Sequence, residues 1–284
     1  MTAYFTGLPL DPHPLSFTLY CHLQMYTVGA EIMAGHSHWA GIKHKKGVID
    51  ARRGKLFSKL SRAIIVAARH GGADTDTNLK LRYAIDKARQ ASVPKDNIER
   101  AIKKGVGELD GGEFFELLYE GYGTSGVAVL CEILTDNRNR TAGELRKIFE
   151  SGGGSLGQSG CVAWIFERKG LFLVDSKTIG EDQLLEIALE AGADDLKEID
   201  GMYEITCAPG SFQDVRMALE KSDIICEVSE LSRVPSNTVD LNAQSGRKIL
   251  RLLEFLDEHE DVQNVFANFN IPESAMAEMV SNPG

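Results

Sequence analysis

From Ala51 to His70 the apolar residues Leu56, Phe57, Leu60, Ile64, Ala67 and Ala68 return at spacings of three and four. At about 100° per residue that spacing gathers them on one side of a helix. Lys55, Lys59, Arg62 and Arg69, with Arg52, fall on the other side. Gly71-Gly72 stops the helix. Asp74 to Asn78 offers capping side chains for a second helix with Leu79, Leu81, Ala84, Ile85 and Ala88 on its buried face, ended by Pro94. A third short helix follows Pro94, buries Ile98, Ala101 and Ile102, and stops at Gly105. The spacing predicts a small helical bundle.

After Gly107 the pattern changes to period two or to continuous apolar runs. "FELLYEGYG" and "VAVLCEILTDN" read as strands, the second largely buried. "RTAGELRKIFES" reads as a helix with Leu145, Ile148 and Phe149 on one face and Thr141 or Asn139 as its cap. "GGGSLG" is a flexible connection to "CVAWIFERKGLFLVD", which reads as two strands hinged at Lys169-Gly170. A helix (182–191), two short strands, a helix (211–221) and the strand "ICEVSELSRVP" make a compact α+β unit. The last helix (242–258) and strand (262–268) have no sheet of their own. They return economically to the first α+β unit, so the second is an insertion within it.

The expected architecture is a multidomain α+β protein: an N-terminal helical bundle and two α+β domains, the third inserted into the second. Its parts are residues 33–107, then 108–174 with 236–275, then the inserted 175–235. Residues 276–284 are expected to be a loose tail.

Composition supports compact domains. With 284 residues and 43% hydrophobic content the chain can bury two or three cores. A charged fraction of 25% and only 8 prolines argue against a mainly disordered protein. The five cysteines are far apart with no C-x-x-C pair, which suits reduced thiols in a cytoplasm. Residues 1–32 hold no Lys or Arg, so they fit neither a secretory signal nor a transit peptide. Met33 directly precedes the basic stretch, and a start there would make residues 1–32 a non-native or disordered leader. No apolar run approaches the roughly 20 residues that span a bilayer.

Charge divides the chain. Residues 33–107 hold 17 Lys and Arg against 6 Asp and Glu, a net +11, while residues 108–284 carry a net −19. A basic module joined to an acidic body is a statement about partners. Between Lys43 and Lys59 the only acid is Asp50, so neighbouring carboxylates cannot neutralise the patch. Gly35 to Val48 has too few apolar residues to fold alone and suits an arm that orders on a phosphate backbone. Trp39, near His38 and Lys43, could stack on an unpaired base or anchor the arm on the bundle.

Other chemistry is weakly signalled. The Gly152–Gly157 run follows a helix and lacks a G-K-[ST] ending, so a nucleotide loop is not expected. His36, His38 and His44 have no nearby Cys or carboxylate to complete a metal site. No nucleophile and base pair is recognisable by spacing. The expectation is a binding protein, with no cofactor, metal, small-molecule ligand or membrane partner.

Four stretches, "AGHSHWAGIKHKKGVIDARRGKLFSKLSRAI", "VPKDNIERAIKKG", "YEGYGTSGVAVLCEILTDNRNRTAGELRKIF" and "GGSLGQSGCVAWIFERKG", resemble the YebC/PmpR family of probable transcriptional regulators, which also includes mitochondrial translational activators. The similarity runs from about Met33 to Pro272. It implies the same helical domain and nested α+β domains, and a non-enzymatic regulator of gene expression that binds DNA, or alternatively acts on ribosomes through ribosomal RNA. The basic positions in the family's N-terminal motif are Lys43, Lys45, Lys46, Arg52, Arg53, Lys55, Lys59 and Arg62, and the "TDNRNRT" loop adds Arg138 and Arg140. With Trp39 these are the candidate nucleic-acid contacts.

Overall fold

The computed structural model describes residues 50–281 apart from 111 and 200, and the side chains from 54 onward apart from those two and 273 and 280. Three helices open this region: α1 (Asp50–Gly71), α2 (Leu79–Gln90) and α3 (Lys95–Gly105). Leu60, Ile64, Ala67 and Ala68 of α1 close a core with Leu81, Ile85 and Ala88 of α2 and Ile98 and Ala101 of α3. Asn78 caps α2 as expected, its side chain accepting the Leu81 N–H at 3.0 Å. Leu79, expected inside, is 53% exposed, because Leu81, two residues and about 200° further round α2, takes the buried side of the first turn. Gly105 serves close packing rather than chain reversal, since a Cβ there would lie 2.5 Å from the Ile65 carbonyl and 2.6 Å from the Ala68 Cβ.

Two four-stranded antiparallel sheets follow. The first has the order β3-β1-β2-β9, from β1 (Phe115–Tyr122), β2 (Ala128–Thr135), β3 (Ser155–Leu156) and β9 (Val262–Ala267). The second has the order β5-β6-β4-β7, from β4 (Phe166–Asp175), β5 (Ala193–Ile199), β6 (Met202–Cys207) and β7 (Cys226–Pro235). The chain therefore leaves the first sheet after β3, builds the second, and returns as β9 beside β2. That is the expected nesting. The second sheet starts at Phe166, however, nine residues earlier than the boundary at 175 read from the sequence.

The reason is that β4 is one continuous strand, not two hinged at Lys169-Gly170. Gly170 lies inside the ladder, opposite Cys207 and Leu231. A Cβ at this position would come within 2.5 Å of Cys207 Sγ and 2.8 Å of the Phe212 ring, so close packing explains the glycine.

Helices α4 (Arg138–Ser151) and α7 (Ala243–Glu258) cover one face of the first sheet, joining Leu145, Phe149, Ile249, Leu252 and Leu256 to Val129, Cys131 and Val265. Helices α5 (Glu181–Glu190) and α6 (Phe212–Lys221) cover the second sheet, with Leu184, Val215 and Leu219 against Phe172 and Ile205. A two-stranded parallel pair, β8 (Val239–Asp240) and β10 (Phe269–Asn270), leads to a last helix, α8 (Glu273–Ser281). That helix overturns the loose tail expected from 276 onward. Met276 and Met279 are 4% and 8% exposed and belong to the core of the first sheet.

The helical bundle touches both sheets' domains. Tyr83 of α2 meets Phe212 of α6 edge-on at 5.7 Å, and Lys87 pairs with Glu230 of β7 at 3.6 Å. No helix among the described residues is long and apolar enough to cross a membrane.

Candidate nucleic-acid interface

Residues Trp39, Lys43, Lys45 and Lys46 lie outside the described residues, and Arg52 and Arg53 fall within α1 with side chains outside the described set. Of the remaining five candidates, Arg62 and Arg140 meet on one carboxylate. Asp261 sits at the turn into β9 and is fully buried. Its Oδ1 accepts from Arg62 Nη1 at 2.8 Å. Oδ2 accepts from Arg140 Nη2 at 2.8 Å, Thr141 Oγ1 at 2.7 Å and Thr135 Oγ1 at 3.0 Å. The Asp261 carbonyl takes the Leu134 N–H at 2.8 Å, which ties this turn to β2.

Its backbone N–H donates to His259 Nδ1 at 3.1 Å. With Nδ1 accepting, the neutral ring carries its proton on Nε2, which lies 2.9 Å from Glu144 Oε2 and donates to it.

This arrangement explains how a buried charge is tolerated. Burial pushes the Asp261 carboxyl up, but hydrogen bonds from Arg140, Thr141 and Thr135, with the Arg140 charge, outweigh burial and hold it below the usual carboxylate range. The Arg140 guanidinium is raised in turn, chiefly by its hydrogen bond to Asp261.

The "TDNRNRT" segment forms the N-terminus of α4. Asn137, not Thr141 or Asn139, is the cap, its side chain accepting the Arg140 N–H at 3.1 Å. Arg138 and Arg140 therefore occupy the first helical turn, where positive charge opposes the helix dipole. Asp136 and Asp261 offset Arg140 there, at 2.9 and 2.8 Å. Arg138 forms no ion pair among the described residues; its guanidinium lies 4.0 Å from the centre of the Phe115 ring.

The cationic side of α1 is not uniformly open. Lys59 is buried, and its Nζ donates to the Asp257 carbonyl at the end of α7. Arg62 contacts Glu260 as well as Asp261. The sequence shows no neutralising acid because those acceptors stand 198 and 199 residues away. Lys55 is exposed and unpaired among the described residues, about 6 Å along the helix axis from Lys59. Lys55 and Arg138 are thus the outward cations at a junction whose centre, Lys59, Arg62 and Arg140, binds the protein to itself. Among the described residues no group of His, Cys, Asp or Glu is placed to hold a metal.

A basic helical bundle fastened to two nested α+β units, to the first through the buried Asp261 and to the second through Tyr83 and Lys87, defines a three-part scaffold. The family model described as the TACO1/YebC protein N-terminal domain matches residues 37–108, and that described as the TACO1/YebC second and third domain matches residues 114–269. The chain belongs to this family. A "probable transcriptional regulatory protein" of Pelotomaculum thermopropionicum is 54% identical over 84% of this chain and 99% of its own length. One of Rhodopirellula baltica is 53% identical over 87% of this chain and 100% of its own. The crystal structure of a conserved hypothetical protein from Aquifex aeolicus is similar with a TM-score of 0.73 at 49% identity, covering 83% of this chain and 98% of that one.

Proposed function

We propose that this chain is a non-enzymatic nucleic-acid-binding regulator of gene expression, a DNA-binding transcriptional regulator that grips phosphates through its basic arm and the start of α1. The relatives' names support the regulatory role. The observation that carries the binding surface is the convergence of Arg62 and Arg140 on Asp261. It sets the middle of α1 beside the N-terminus of α4; on this reading Lys43, Lys45, Lys46, Arg52, Arg53, Lys55 and Arg138 meet phosphates, and Trp39 stacks on a base. Lys59, Arg62 and Arg140 hold that surface in place.

A second reading, a ribosome-associated translation factor or translational activator bound to ribosomal RNA, is favoured by the docking of α1. The side of α1 that carries Lys59 and Arg62 faces the protein's own body, so it is closed to a major groove, where base readout by a helix takes place. Backbone contact without base readout also suits RNA.

The test combines sedimentation with a charge variant. Wild type and Arg52→Glu/Arg53→Glu/Lys55→Glu are compared on a cell-lysate gradient and against one promoter duplex and its scrambled version. Transcriptional regulation predicts preference for the promoter and little protein in the ribosome fractions; the second reading predicts the reverse. If six cations meet phosphates, log K falls against log salt with a slope of about −5. Unchanged binding of both ligands by the triple variant sinks the proposed surface.

A further inference from the structure

Outside the cationic junction, one loop is built with unusual rigidity around two exposed aromatic rings. Glu120 points from β1 into the 160–163 segment and is only 3% exposed. Its Oε1 accepts the Gly160 N–H at 2.6 Å, and its Oε2 accepts those of Val162 and Ala163 at 2.8 and 2.7 Å. The Glu120 carbonyl also takes the Gly157 N–H at 2.7 Å. A carboxylate with three backbone donors fixes the loop as a short helix cap or anion nest would.

The loop presents Trp164, 72% exposed, beside Tyr122, 39% exposed. Trp164 Nε1 and the Tyr122 hydroxyl both donate to the Cys161 carbonyl at 3.1 Å. Both polar atoms are thereby used, and both rings are oriented by the same acceptor. What remains on offer is flat π surface held in place before any ligand arrives, which lowers the ordering entropy of binding.

The surroundings select the occupant. Gln158, Ser159 and Arg168 are exposed and polar, so the rings do not line an apolar groove of the kind that takes a peptide helix. Arg168 forms no ion pair among the described residues and stands directly across from Arg233 in the β4–β7 ladder. Trp164 lies in the 3-10 turn Ala163–Ile165 that leads into β4, and four residues of chain can separate its Cα from that of Arg168 by no more than about 13 Å, within reach of a phosphate flanking a stacked base. A planar, base-tolerant surface beside a free guanidinium is the arrangement that binds single strands.

We propose that Trp164 and Tyr122 form a stacking platform for unpaired nucleobases, with Arg168 on the adjoining phosphate. This rests on the nucleic-acid reading above and adds that the ligand carries a single-stranded segment.

The test uses the full chain and end-labelled twelve-nucleotide single strands, poly-uridine RNA and poly-thymidine DNA, against a duplex of equal length. Single strands are expected to quench tryptophan fluorescence in wild type, and the share of quenching lost in Trp164→Phe belongs to Trp164. Trp164→Ala is expected to weaken single-strand binding about fivefold or more while leaving the slope of log K against log salt unchanged, since stacking displaces no counterions. The Arg52/Arg53/Lys55 variant is expected to flatten that slope. RNA bound tighter than DNA assigns the strand to a transcript or ribosomal RNA; the reverse assigns it to opened DNA. If Trp164→Ala binds single strands as wild type does while the arm variant loses them, the platform is overturned and the nucleic-acid reading stands. If neither variant changes binding, both fail. Trp164 quenching by a proline-rich peptide or by self-association, and by no strand, also overturns the platform.

Discussion

Arg62 and Asp261, 199 residues apart in the chain, meet at 2.8 Å and fasten the basic helical bundle to the sheet that carries the acidic body. Asp261 has two arginines and two threonine hydroxyls around it, so its removal leaves more unsatisfied than any one partner's would. Asp261→Ala is expected to destabilise the protein by about 3 kcal/mol, at the lower end for breaking a buried pair because both arginines reach solvent in part. Arg62→Ala, which leaves Arg140 and both threonines in place, is expected to cost about 1 kcal/mol. Urea midpoints of the three proteins check the order; equal losses would mean that Arg62 alone holds the carboxylate.

Acid should loosen the same junction. The Asp261 carboxyl is held below its ordinary value, so its contribution is fully present above the unfolded value of about 4 and disappears as pH falls through the folded one. Between pH 8 and pH 5 it changes nothing. Below about pH 4 the urea midpoint of wild type should drop more steeply than that of Asp261→Asn, which cannot titrate there. Parallel curves would remove Asp261 from the acid response.

Local pattern made the helices and most strands legible. Leu60, Ile64, Leu81 and Ile85 recur at helical spacing and are buried as that spacing implies. The nesting was legible too, because a helix and a strand left without a sheet have to return to one. What misled were residues whose role depends on distant partners. Gly170 reads locally as a hinge, and only its approach to Cys207 and Phe212 shows a packing position. Lys59 and Arg62 read as un-neutralised cations for a nucleic acid, since their acceptors on Asp257, Glu260 and Asp261 come from the far end of the chain. Asp261 and Glu120 are single carboxylates among 41 acidic residues, and nothing local marks either as buried.

Met276 and Met279 show the same limit at the C-terminal end, where the i, i+3 spacing in "SAMAEMV" was a signal too short to outweigh the small polar residues around it. Met279 packs on α7, with its Sδ 3.2 Å from where a Cβ on Gly246 would stand. Met279→Ala is expected to cost about 2 kcal/mol by thermal or urea unfolding, the low end for a buried methionine at a domain's margin. A change within a few tenths would place α8 outside the cooperative unit.

Glu120 holds its loop by charge as well as shape. Burial pushes its carboxyl up, but the N–H groups of Gly160, Val162 and Ala163 more than offset this and leave it below the usual range. Glu120→Gln turns one acceptor into a donor facing an N–H, which costs about 1–3 kcal/mol. Hydrogen exchange at the amides of Gly160, Val162 and Ala163 should quicken, while the β1–β2 ladder stays protected. Exchange that speeds equally in both would show that the residue supports the sheet and not the loop.

Lys55 and Lys59 lie one turn apart on α1 and should answer to different assays. Lys55 is exposed and unpaired among the described residues, so Lys55→Glu is expected to leave the urea midpoint within about 0.5 kcal/mol of wild type. If it meets a phosphate, the same change lowers the salt slope of nucleic-acid binding by about 0.9. Lys59 is 9% exposed and donates to the Asp257 carbonyl, so Lys59→Glu sets a carboxylate against that oxygen. A loss of about 2–3 kcal/mol in stability should follow. Binding to the same oligonucleotide, measured where Lys59→Glu is still folded, should change less in slope than it does for Lys55→Glu. The opposite result, a stable Lys59→Glu with a flattened salt slope, would mean that α1 leaves the body to bind and that its docked face is a nucleic-acid surface after all.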